Sequence, residues 1–83
     1  MIDYQLIGSR LKQARKAANL TQEALAEKVF LSTVYLSRIE NGKVFPTLET
    51  LASLCNILGV SLGWLFSGIE VGQSDYGNQQ VVE

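Results

Sequence analysis

Residues 21–43 read TQEALAEKVFLSTVYLSRIENGK, and this stretch decides the fold. Thr21 is a side-chain acceptor placed to cap a helix, with the apolar Leu20 before it. Counting from Gln22, apolar residues recur at +3, +7 and +9 (Leu25, Val29, Leu31) and a small residue, Ala26, at +4. Phe30-Leu31 interrupts this pattern, and Ser32 offers a second cap. A further helix is expected from about Thr33 to Glu40, anchored by Leu36 and Ile39 and ended by a left-handed cap at Asn41-Gly42. Two helices crossing steeply over a tight turn need this arrangement. The small residue lets the backbones approach, and the later apolar pair seats the second helix on the first.

Projected at 100° per residue, the second of these helices divides in two. Tyr35, Leu36, Ile39 and Glu40 share one half; Thr33, Val34, Ser37, Arg38 and Asn41 share the other. A helix held by its apolar half presents the other. That half carries hydroxyls, one short apolar group and one arginine. It suits a DNA major groove, where arginine binds guanine bidentately and valine touches a thymine methyl. The bland alternative is a solvated helix face.

The periodicity on either side is also helical. Asp3 can cap a first helix to about Ala18, with Ile7, Leu11, Ala14 and Ala18 as its inner stripe and Asn19 at its end. Lys43 to Pro46 form a loop. Thr47 caps a fourth helix with Leu48, Leu51, Leu54, Cys55 and Leu58 inward, closed by Gly59. Ser61 caps a short fifth segment, Leu62 to Phe66, closed by Gly68. The fold expected is all-α, a compact five-helix bundle over residues 1–68. Residues 69–83 are polar and form a C-terminal tail, either flexible or ordered by a partner.

Composition limits the function. Eighty-three residues make one domain. With no histidine and a single cysteine, the usual zinc sites, internal disulfides and most nucleophile–base pairs are excluded. Neither a metal nor a cofactor is indicated, and an enzyme is not expected. Cys55 reads as a core thiol. The start of the chain has no signal-peptide character and no apolar run would span a membrane, so a cytoplasmic location is expected. The net charge of −1 hides an asymmetry. All seven bases (Arg10, Lys12, Arg15, Lys16, Lys28, Arg38, Lys43) lie between positions 10 and 43, a window with a balance of +4. Residues 44–83 hold four acids and no base. Such a division points to one electropositive face, although ordinary solvated helices give the same count.

The ordered set Arg15, Leu20-Thr21-Gln22-Glu23, Leu25-Ala26, Ser37-Arg38-Ile39-Glu40-Asn41-Gly42-Lys43, Pro46-Thr47, Gly59-Val60-Ser61 and Trp64-Leu65-Phe66 resembles the lambdoid phage repressor and Cro family, also called Xre-like. The resemblance covers roughly residues 7–68. It implies a sequence-specific, double-stranded DNA-binding regulator, a repressor acting as a homodimer. It gives Thr33, Val34, Ser37 and Arg38 the base-reading positions, and Gln22, Asn41 and Lys43 the phosphate-binding ones. Gln22 also braces the reading helix. Tyr35 either packs or gives its hydroxyl to a phosphate, and packing is the better fit. Arg15 and Glu40 resemble a structural ion pair. The dimer contact falls around Leu62, Trp64, Leu65 and Phe66. The alternative function on the same fold is a protein-interaction module, an antirepressor or an antitoxin, using residues 76–83.

Two positions depart from the family pattern. Phe30 stands in the turn where relatives place glycine, because the backbone there commonly has φ > 0. Either the turn differs, or Phe30 accepts strain in exchange for burying its ring. Gly63 replaces a frequent aspartate and weakens the last helix by about 1 kcal/mol.

Overall fold

The computed structural model describes residues 2–69. It contains five helices: α1 Tyr4–Ala17, α2 Gln22–Lys28, α3 Thr33–Glu40, α4 Leu48–Leu58 and α5 Leu62–Leu65. No strand occurs among the described residues. The expected tail lies outside them, save for Ile69, whose amide donates to the Phe66 carbonyl and whose side chain packs on the core.

Each helix starts in the same way. The side-chain oxygens of Asp3, Thr21, Ser32, Thr47 and Ser61 accept from the amides of Leu6, Ala24, Tyr35, Thr50 and Trp64. Each bond satisfies one of the donors a helix start leaves without a partner. The first four helices also end alike. The amides of Asn19, Phe30, Gly42 and Gly59 donate back to Lys16, Glu27, Ile39 and Asn56. The next amides, of Leu20, Leu31, Lys43 and Val60, reach back five residues. This paired closure needs a left-handed residue at its centre, and φ there is 60° at Asn19, 59° at Phe30 and 73° at both glycines.

The core is one cluster. Ile7, Leu11 and Ala14 of α1 meet Leu25 and Ala26 of α2, Leu36 and Ile39 of α3, the Leu51, Leu54, Cys55 and Leu58 stripe of α4, and Leu65 of α5. Burial pushes the pKa of the Cys55 thiol up, which keeps it neutral. Two expected core residues lie outside. Ala18 is exposed because α1 has ended before it. Leu48 is 66% exposed; it opens α4, and the buried stripe begins one turn later at Leu51.

One contact positions the whole assembly. Gly8 of α1 is buried against the end of α3. A Cβ there would collide with the Ile39 carbonyl and lie 2.7 Å from that of Glu40. The absent side chain thus sets how closely α1 supports α3.

Candidate nucleic-acid interface

Helix α3 is held by its inner half. Leu36 and Ile39 are fully buried and Glu40 is 4% exposed. A carboxylate so deep requires compensation. It receives a two-pronged pair from Arg15: Nε donates to Oε2 at 2.8 Å and Nη2 to Oε1 at 3.2 Å. Gln22 Nε2 donates to the same Oε1 at 3.0 Å. Arg15 Nη1 donates to the Leu20 carbonyl at 2.8 Å. One buried acid therefore ties α1, the α1–α2 loop and the start of α2 to the end of α3. Tyr35 is half-buried against the core.

The outer half faces away from this anchor. Val34 is 70% exposed and Arg38 is exposed, while Thr33 and Ser37 are half-buried. Asn41 is exposed, but its Nδ2 donates to the Ser37 carbonyl at 2.9 Å and to Ser37 Oγ at 3.3 Å. Those two side chains are joined. Lys43 is exposed, and its amide closes the end of α3 on the Arg38 carbonyl at 2.8 Å. The four positions expected to read bases thus follow one another along the outer half, with Asn41 and Lys43 at its C-terminal end. Gln22 sits apart from them, half-buried in the bracing network.

The electropositive face is smaller than the count of bases implies. Arg15 lies in the core. Arg10 Nη1 donates to the carbonyls of Trp64, Leu65 and Ser67, at 3.3, 3.0 and 2.7 Å, and so caps the end of α5. The sequence carries no signal of this role, since its acceptors lie 54 to 57 residues away. Lys12, Lys16, Lys28, Arg38 and Lys43 remain exposed. The turn between α2 and α3 also corrects an expectation. Phe30 does take the strained conformation, with φ of 59°. Its ring is nevertheless 94% exposed, so no burial offsets the strain.

The helix-turn-helix family model matches residues 11–65. The chain belongs to the helix-turn-helix family. An activator of transcription from Enterococcus faecalis, BcrR, is 39% identical over 62 residues, covering 75% of this chain and 30% of that protein. The immunity repressor of Bacillus phage phi105 is 35% identical over 77 residues, covering 89% of this chain and 54% of the repressor. The chain therefore spans from about a third to about half of the length of these relatives. Among solved structures, SinR, a master regulator for biofilm formation crystallised in complex with DNA, superposes with a TM-score of 0.67 at 38% identity, covering 72% of this chain and 97% of that one. In this helix-turn-helix chain α2 and α3 form the motif itself.

Proposed function

We propose that this helix-turn-helix chain is a sequence-specific, double-stranded DNA-binding transcription regulator. It acts as a repressor and as a homodimer, with the outer half of α3 in the major groove. The observation that carries this is the asymmetry of α3, anchored through buried Leu36, Ile39 and Glu40 and open at Val34 and Arg38. Thr33, Val34, Ser37 and Arg38 read base edges. Gln22, Asn41 and Lys43 hold the flanking phosphates, which fixes the register of the reading residues. Repression follows by occlusion where the bound site overlaps a promoter. The same reading head activates if the site lies beside the promoter, and both kinds of regulator occur among the relatives. No helix among the described residues is long and apolar enough to cross a membrane, and we place the protein in the cytoplasm with its operator.

Exposed apolar groups on the last two helices support the dimer. Leu65 is core and Leu62 and Phe66 are half-buried, but Trp64 remains 39% exposed and Ile57 40%. The test is selection from random DNA by the purified chain, with its mass in solution measured alongside. Two matching half-sites about one helical turn apart are expected. Recovery of no repeated or palindromic motif overturns the reading.

A further inference from the structure

We propose that Phe30 is a DNA contact, packing on a thymine methyl at the outer edge of each half-site, beyond the bases that α3 reads. The inference rests on the assignment of α3 as the groove-bound helix.

The first support is a choice the chain did not make. Four helices end with the same left-handed closure, and at its centre stand Asn19, Phe30, Gly42 and Gly59. Glycine adopts this conformation freely and asparagine tolerates it, whereas a bulky ring does not. The fold has the suitable residue in three of the four positions. At the fourth it holds a residue that strains the turn.

The second support is that nothing inside the domain repays the strain. Phe30 is the most exposed large apolar side chain among the described residues, at 94%. It is absent from the partly buried groups packed on the core. A local rule broken without compensation in the free chain marks a position whose partner is elsewhere.

The third support is position. Phe30 lies three residues before Thr33, so their Cα atoms are at most about 11 Å apart. A recognition helix points its N-terminal residues at the bases. The groove is about 12 Å wide and successive bases are about 3.4 Å apart. Phe30 therefore lies within one groove's width of Thr33, near enough to reach base pairs beside those that α3 reads. Val34, also apolar and 70% exposed, stands four residues further on. The charged residues nearest Phe30 in sequence are the exposed Glu27 and Lys28, which offset each other. The contact is therefore apolar, and a thymine methyl is the apolar group on a base edge.

The test uses the full chain with Phe30→Gly, Phe30→Asn and Phe30→Tyr, each compared with the parent by thermal melting, random-DNA selection and salt-dependent titration. Phe30→Gly is expected to melt higher than the parent and Phe30→Asn no lower, so weaker binding cannot be blamed on misfolding. Both lose the thymine preference at the outer edge, and their affinity for the parent's site falls roughly fivefold or more. The inner bases and the slope of affinity against salt stay unchanged, because no phosphate contact is removed. Phe30→Tyr keeps the preference. Identical selected sites and affinities for Phe30→Gly and the parent overturn the proposal. If the parent selects a motif whose edge ignores Phe30, this contact alone fails. If the parent selects no motif, the reading of α3 fails with it.

Discussion

Arg38 and Lys43 carry the same charge within one and a half turns of each other, yet their substitution should read out differently. Arg38 lies on the outer half of α3, where its planar fork can meet a guanine edge. Arg38→Ala is expected to cost about 1–3 kcal/mol at one base pair and to relax the preference there. Competition with operators altered at single positions measures this, and an unchanged preference assigns Arg38 elsewhere. Lys43 sits past the end of the helix and is a point charge for the backbone. Lys43→Ala should weaken binding about equally on every sequence and flatten the salt slope by about 1. At this scale legibility in the sequence followed the range of the cause. Thr33, Val34, Ser37 and Arg38 were readable because the helical period alone puts them together. The positive φ of Phe30 was signalled by the family's glycine, but the direction of its ring was not, since that depends on what surrounds the turn. Arg10 falls within the basic stretch of the sequence, whereas its hydrogen bonds lie across the fold.

The elements were legible at their ends because caps are local. Asp3, Thr21, Ser32, Thr47 and Ser61 each act within three residues of themselves. The approach of α1 to α3 was not legible, because Gly8 reads as an ordinary weak point in a helix until α3 is brought against it. Two glycine-to-alanine changes expose this difference. At Gly63 an added Cβ meets only Ser61 Oγ, at 3.7 Å. Gly63→Ala should therefore add up to about 1 kcal/mol through helix propensity alone. At Gly8 the same gain is opposed by collision with two carbonyls of α3. Backbone cannot swing aside as a side chain can, so overpacking prevails. Gly8→Ala should destabilise the domain by about 1–3 kcal/mol and loosen the seat of Glu40, on which the set of α3 depends. Urea unfolding of both variants checks the pair. Equal shifts in the same direction would mean that the close approach does not govern the position of α3.

For the whole molecule the question is how one small reading head binds a single operator tightly. Five bases, not seven, are exposed, and one of them, Arg38, is assigned to a base edge, so electrostatics alone gives a modest affinity and a shallow salt slope per chain. In the proposed homodimer, two linked heads solve this without any new contact to DNA. The second half-site then binds at high effective concentration, and affinity for the full operator rises by about 10²–10⁴. Leu48 and Ile57 of α4 and Trp64 of α5 are the large apolar groups exposed on the last two helices, and Ile57 and Trp64 stand toward the chain end of that pair, away in sequence from α3. Trp64 was legible as a candidate contact from the apolar run around it. Ile57 was not, because the inner stripe of α4 accounts for the leucines beside it. Ile57 is 40% exposed, so a charge placed there can stay in water and leave the monomer folded. Across a self-complementary interface the same charge meets its own copy, desolvated and unpaired. Ile57→Glu is therefore expected to sediment as a monomer at concentrations where the parent is a dimer. Its affinity for an isolated half-site should be unchanged, while that for the full operator falls about a hundredfold. A variant that still dimerises would move the interface away from α4. One that becomes monomeric yet binds the full operator as tightly as the parent would show that each head reads its half-site alone.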